Sequence, residues 1–407
     1  MFDGMNHSLV TPGERAGAAE RLLLRGLGAV LRGSGIELAL WDGSRAGDCG
    51  GQRVLVRDRG ALWRLARNPN LHFGELYSEG RVEVEGDLVA LLERGYRAIE
   101  AGQGAHRLLG WLWRDRAPRA RSIAAARENI HHHYDLGNDF YAQWLDREAM
   151  QYTCAYFPEP GMTLEAAQRA KMHHICRKLR LRAGQQVFEA GCGWGGFALF
   201  MAREYGVRVR AWNISREQVR YARERARAEG LADRVEYVED DYRTIRGHCD
   251  AFVSVGMLEH VGPENYAALG AVIDRTLAPR GFGLIHTIGR NRPGRMNSWI
   301  ERRIFPGAQP PSLGQMMAIF EPYDFSVLDV ENLRLHYAET LRHWRARFQA
   351  AAEGARASRG AAFVRAWDLY LAGAIAAFTT GSLQLFQVLF ARGACNELPA
   401  SRRDLYL

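Results

Sequence analysis

The stretch Val187-Phe188-Glu189-Ala190-Gly191-Cys192-Gly193-Trp194-Gly195-Gly196 has the residue types of a nucleotide-binding loop. Glycine lets a backbone turn sharply and come close to a ligand that any Cβ would hold away. Gly191, Gly193 and Gly196 satisfy the dinucleotide pattern G-x-G-x-x-G, so a nicotinamide enzyme is one reading. That pattern expects an acid about 20 residues on, at the end of the next strand, to hold a ribose. Here the corresponding segment reads Trp212-Asn213-Ile214-Ser215, with no acid. Further along, Glu259-His260 and His286 each follow or end a strand-like run. Singly, Glu259 could serve the dipole of the next helix, and His286 could be a satisfied core histidine. His131-His132-His133 and His173-His174-x-Cys176 hold ligand-type side chains. Adjacent residues point apart, however, and neither cluster offers the i, i+4 pairing that metals favour, so no metal is expected.

With Gly191, Gly193 and Gly195, Glu189 forms E-x-G-x-G-x-G, the opening motif of Rossmann-like methyltransferases. A sulfonium nucleoside carries no pyrophosphate, so its loop needs close approach and a carboxylate rather than a phosphate cradle. The combination favours S-adenosylmethionine over NAD.

Such a loop must sit between a buried strand and a helix. From His131 onward the chain alternates strand-like and helical patterns. Strands are predicted at Gln186–Ala190, Val207–Trp212, Arg234–Val238, Ala251–Val255 and Gly283–Thr287, with helices including Gly196–Tyr205 and Arg216–Glu229. That alternation predicts an α/β fold with a mainly parallel, doubly wound sheet, whose ligands gather at the carboxyl ends of the strands. Residues 1–104 read as a smaller mixed α/β domain, with helices at Ala16–Leu31 and Asp87–Ala101 and strands at Ile36–Trp41, Arg53–Val56 and Arg81–Val84. Residues 105–128, with Trp111, Trp113 and then Arg114, Arg116, Arg119 and Arg121, read as a linker or surface helix. Residues 129–407 form the catalytic domain.

Composition narrows the setting. The 407 residues are 47% hydrophobic, which supports a sizeable core and argues against disorder. A net charge of +8 admits an acidic partner, and charge alone does not choose between nucleic acid and an anionic membrane. Of 54 basic residues only Lys171 and Lys178 are lysines. Six cysteines lack a framework spacing and the start is polar, so a cytoplasmic protein with reduced thiols is expected. The most apolar stretch, Leu369 to Phe390, is broken by Thr379, Thr380, Gln384 and Gln387, and reads as a buried helix pair rather than a membrane span.

Several ordered motifs then resemble one family. They are His133-Tyr134-Asp135-Leu136-Gly137-Asn138, Gln151-Tyr152-Thr153-Cys154-Ala155-Tyr156-Phe157, Glu189–Gly196, Gly256-Met257-Leu258-Glu259-His260, His286-Thr287-Ile288-Gly289 and Gln384–Gly393. Together they resemble the cyclopropane fatty acid synthases and the related mycolic acid cyclopropane synthases. Phe73-Gly74-Glu75-Leu76-Tyr77 and Val84-Glu85-Gly86-Asp87-Leu88 extend the resemblance to the phospholipid-acting members. It implies methyl transfer from S-adenosylmethionine to a cis double bond of an unsaturated phospholipid, followed by proton loss to a bound bicarbonate. Carried over, the bicarbonate cradle would be Glu259, His286 and Tyr337, with the backbone at Cys154 and Ile288. Tyr152 and Thr153 would lie over the methionine or ribose, Asn213, Ile214 and Gln218 would meet ribose and adenine, and Asp241 and Tyr242 would flank the adenine. A cysteine found in a late helix of several relatives is Ala374 here. The resemblance also implies a homodimer, peripheral at the inner face of the membrane, with the N-terminal domain recruiting lipid.

Two other outcomes keep the same cofactor loop. The cation left by methyl transfer could yield a methyl-branched or methylene chain. A binding protein with a relict methyltransferase domain would bind cofactor weakly or lack Glu259. Nucleic acid is disfavoured as a substrate, since no N/D-P-P-Y-type motif is present.

Overall fold

The computed structural model describes residues 15–49, 51–101, 136–398 and 401–405. They divide into two compact units. One takes the elements up to Ala101 with Asn297–Ile304 and Leu341–Ser382; the other takes 136–296, Phe305–Thr340 and the described residues from Leu383 on. The linker at 105–128, with Trp111, Trp113 and the four arginines after them, lies outside the described residues, as do His131–His133 and the first family motif through Asp135.

The first unit contains a four-stranded sheet in the order β2 (Arg45–Gly47), β1 (Ile36–Leu40), β3 (Gln52–Val56), β4 (Val82–Glu85). Ile36, Leu38 and Leu40 enter its core with Val54, Val56, Leu62 and Leu76. Asp58 caps helix Arg59–Arg67 by accepting from the Ala61 amide at 2.9 Å, one of the donors a helix start leaves open. The Phe73–Tyr77 motif works as packing. A Cβ on Gly74 would meet the Trp299 indole at 2.3 Å, and the buried Glu75 holds Arg303 at 2.7 and 3.0 Å. Helix Ala361–Thr380 packs on Leu88–Ala101 and Pro69–Ser78.

The second unit is built on seven strands in the order β10-β11-β9-β8-β5-β6-β7, namely Phe325–Asn332, Gln384–Arg392, Leu277–Gly289, Cys249–Val255, Gln186–Ala190, Arg208–Asn213 and Val235–Glu239. The five strands from β9 to β7 run parallel, and β11 and β10 add antiparallel. Each sheet face carries an apolar layer. Ile175, Phe197, Met201 and Val219 belong to one, Leu269, Ile273, Met316 and Phe320 to the other.

The predicted parallel strands all form, within one or two residues at most ends. The apolar stretch Leu369–Phe390 does not become a helix pair: helix Ala361–Thr380 ends at Gly381, and the rest is the central strand β11. All but the last residue of β11 is buried, and a strand covered on both faces shows no alternation to distinguish it from a buried helix. Its fit to β9 is close. A Cβ on Gly283 would lie 2.1 Å from the ring of Phe390, its register partner.

Candidate active site

The functional residues expected from sequence all fall in the second unit. At the end of β5, Gly191, Gly193 and Gly195 take positive φ angles of 83°, 54° and 79°, a region side chains resist. The Gly191 and Cys192 amides donate to the Trp212 carbonyl at 2.9 and 3.1 Å, binding the loop to the end of β6. Tyr237 donates its hydroxyl to the Gly195 carbonyl at 2.6 Å, and a Cβ on Gly195 would stand 2.6 Å from that ring. Asn213 gives its amide to the Gly193 carbonyl at 3.0 Å and to Gln218 Oε1 at 2.8 Å. Its own Oδ1 accepts from the Ser215 amide at 3.0 Å, so Asn213 organises the loop and the start of helix Arg216–Ala228.

Three buried polar atoms at these strand ends have no protein partner: Glu189 Oε2, Gln218 Nε2 and the Tyr242 hydroxyl. Leaving such a group unbonded costs about 1–3 kcal/mol each, so the set fits a polar ligand. A nucleoside's ribose hydroxyls and base edge supply the matching donors and acceptors. Burial pushes Glu189 up to about 8, with Lys171 pulling the other way. Asp241 is buried and already matched, accepting from the Arg243 amide at 2.9 Å and its Nε at 2.7 Å. Ile214, half-buried, sits between Asn213 and the helix cap at Ser215.

Lys171 is the residue that motif reading missed. Both lysines of the chain are fully buried. Lys171 Nζ donates to Gln151 Oε1 at 2.6 Å and to Thr153 Oγ1 at 3.0 Å. It thereby fixes the Gln151–Thr153 segment, and burial pulls it down to about 8. Composition did single it out, since only two of the 54 basic residues are lysines. Tyr152 joins a cluster with Tyr141 and Trp144 at centroid distances of 5.4 and 5.2 Å.

The second half of the site forms where β9 ends. The Ile288 amide, expected to face an ion directly, donates to Glu259 Oε1 at 2.6 Å. Glu259 Oε2 is buried and makes no hydrogen bond, and burial pushes this carboxyl up to about 7, with the Ile288 amide and the nearby Thr287 hydroxyl pulling the other way. His286 lies two residues before Ile288 in β9. Its Nδ1 meets Gln387 Nε2 at 3.1 Å, its Nε2 has no partner, and burial holds the imidazole well below its usual pKa. One chain of contacts brings in the rest. Ile288 pairs with Leu385, the Leu385 carbonyl accepts from the Leu333 amide at 2.8 Å, and the Leu333 carbonyl accepts from the Tyr337 amide at 3.1 Å. Cys154 Sγ lies 3.8 Å from that same Leu333 carbonyl, and burial pushes its thiol up, away from nucleophilic use. Backbone pairing and hydrogen bonds thus connect the segments that carry Glu259, Ile288, Tyr337 and Cys154, with His286 two residues along the same strand as Ile288. Thr153 links the two halves, since a Cβ on Gly256 would lie 2.7 Å from its methyl.

A glycine loop with partnerless polar groups, and a buried glutamate and histidine each with one unbonded polar atom, are the features expected of a methyl-transferring synthase. The family model "Mycolic acid cyclopropane synthetase" matches residues 121–388. The chain belongs to that family. It is 43% identical over 356 residues to a cyclopropane-fatty-acyl-phospholipid synthase of Escherichia coli strain K12, covering 86% of this chain and 90% of the relative. It is 38% identical over 386 residues to a probable fatty acid methyltransferase of Pseudomonas putida, covering 91% and 96%. The solved mycolic acid cyclopropane synthase CmaA1, complexed with SAH and CTAB, aligns with a TM-score of 0.61 and 29% identity over 65% of this chain and 97% of that one. Membership makes the protein an S-adenosylmethionine-dependent methyltransferase with the Rossmann-like class I fold.

After His286 the sequence carries Arg290, Arg292 and Arg295, with Arg302 and Arg303 beyond, a basic stretch suited to an anionic membrane surface. Arg292 and Arg295 are exposed, whereas Arg290 is half-buried. Arg303, in the first unit, is committed to Glu75.

Proposed function

We propose that the protein is a cyclopropane-fatty-acyl-phospholipid synthase acting on the cis double bond of an unsaturated phospholipid acyl chain. The observation that carries this reading is the pair of buried, partnerless atoms Glu259 Oε2 and His286 Nε2, in a chain 43% identical to the E. coli synthase. S-adenosylmethionine, held by the glycine loop, Glu189, Gln218 and Tyr242, supplies an electrophilic methyl to the alkene. Bicarbonate, held at the Glu259–His286 pair, supplies a proton acceptor that lets the ring close. Glu259 and His286 fit such an ion. A carboxyl near 7 carries a proton part of the time and so donates from Oε2, while Ile288 holds Oε1 as the acceptor. A neutral imidazole adds a second donor, and neither group repels an anion as a lone carboxylate would. Because it sits near neutrality, Glu259 can also take up and release a proton at Oε2. Tyr337 and the Cys154 backbone close the other side, and Tyr152 and Thr153 cover the cofactor. The dry interior keeps water from a carbocation that it would otherwise capture.

A second reading rests on the P. putida relative, whose name is probable fatty acid methyltransferase and which matches 91% of this chain. In this reading the cation shifts hydride and then loses a proton, from the added methyl to give a methylene lipid or from a chain carbon to give a methyl-branched alkene. The setting we infer is a homodimer in the cytoplasm, docked on the anionic inner membrane face. Residues 1–104 recruit lipid and 129–407 carry the chemistry. All six cysteines are free thiols, which suits a reducing compartment. Incubation with unsaturated phospholipid vesicles and methyl-labelled S-adenosylmethionine, followed by gas chromatography and mass spectrometry, tests the proposal. A cyclopropane product supports it, and a methylene or branched product favours the second reading.

A further inference from the structure

Gln387 is a fully buried glutamine in the middle of β11. Amides lose several hydrogen bonds to water on burial, so an interior glutamine is retained where its side chain has a use. This one makes a single side-chain hydrogen bond, to His286 Nδ1 at 3.1 Å, and its Oε1 has no partner. The contact is built into the sheet, since Gln387 and His286 are direct register partners of β11 and β9. Two paired strands, rather than a loop, set the geometry.

We propose that Gln387 is a positioning residue that fixes the tautomer of His286. The amide N–H donates to Nδ1, so Nδ1 must be the unprotonated nitrogen and the ring proton must sit on Nε2. Nε2 is the nitrogen with no protein partner. His286 is therefore presented to the site as a neutral hydrogen-bond donor, the form that holds an anion, and not as a general base. Glu259 Oε2 is the other buried partnerless atom near the end of β9, and in its protonated form it would be a second donor to the same anion. This inference rests on the proposed anion site for its purpose, but the tautomer itself can be read without turnover.

The experiment is long-range proton–nitrogen NMR on the full-length enzyme labelled with ¹⁵N-histidine, with His286 assigned by its loss in H286Q. In the wild type the account expects a protonated Nε2 and a pyridine-type Nδ1. Gln387→Glu offers an acceptor in place of the donor and should move the proton to Nδ1. Gln387→Leu should leave the two tautomers mixed. In both variants kcat should fall, on the order of 100-fold for the reversed tautomer, while the affinity for S-adenosylhomocysteine stays the same. A wild-type His286 protonated at Nδ1 overturns the proposal, and this spectrum needs no variant to fold. Folded variants with unchanged His286 signals overturn it equally. A protein that shows the expected tautomers yet makes no cyclopropane would leave the Gln387 role standing and remove the functional reading.

Discussion

Glu259 and Glu189 are both buried carboxyls raised toward neutrality, and their different partners assign them different tasks. Glu259 has one oxygen fixed by the Ile288 amide and one left open. An amide at that position would keep the shape and the bond to Ile288, but could not accept and release a proton. Glu259→Gln should therefore lower kcat by roughly 10²–10⁴-fold, a range typical of lost acid–base assistance, with S-adenosylhomocysteine affinity nearly unchanged. Steady-state kinetics beside calorimetric binding would check it, and near wild-type turnover would remove Glu259 from the chemistry. Glu189 makes a different prediction. Raised to about 8 by burial, it is largely protonated at pH 7 in the free enzyme. Ribose hydroxyls donate to a carboxylate and favour the ionised form, lowering this pKa on binding. Cofactor binding at pH 7 should then release up to about one proton, and affinity should rise with pH until about 8 and level off beyond. Calorimetry in buffers of different ionisation enthalpy measures the release. Equal heats in all buffers would contradict this role.

At the level of elements, the site depends on where strands end and on what lies across from them. Gly195 combines a φ of 79° with the Tyr237 ring 2.6 Å from any added Cβ. Gly195→Ala should destabilise the fold by about 1–3 kcal/mol and weaken cofactor binding with it. A thermal melt and a binding isotherm test this together, and an unchanged melting temperature would contradict it. Much of this scale was legible in the sequence. The β5 loop carries its own punctuation, with glycines at fixed offsets after a short apolar run, and the strand–helix alternation specified the parallel sheet. β11 was hidden because both its faces are covered, so its apolar run resembles the helix just before it. Gln387, on that strand, was read only as an interruption of apolar character. Lys171 escaped for another reason: its partners Gln151 and Thr153 lie far from it in sequence, on the opposite side of helix Leu164–Lys178's start. The Ile288 amide was expected to face the ion, but which acceptor it reaches depends on a side-chain rotamer that no motif encodes.

For the whole molecule, the proposed function asks how the site would reach an alkene within a bilayer. Electrostatic docking through Arg292 and Arg295 is the proposed route, since these two side chains of the stretch after β9 are exposed. Each basic residue near an anionic surface contributes about 1 kcal/mol, so the effect of the pair should be measurable and reversible. Vesicle co-sedimentation should weaken as salt shortens the Debye length below about 8 Å, and weaken further in R292S/R295S. R290S should have a smaller effect on vesicle binding, because Arg290 is half-buried. Binding indifferent to salt and to these substitutions would exclude electrostatic docking through this stretch. The central claim is that methyl transfer at this site ends in ring closure. Its most direct test supplies S-adenosylmethionine carrying a trideuterated methyl together with vesicles of cis-monounsaturated phospholipid, and identifies the acyl product. The account predicts a cyclopropane whose new carbon keeps two of the three deuteriums, because one leaves as the ring closes. A methyl-branched alkene that keeps all three, or an exocyclic methylene with no cyclopropane, would contradict it.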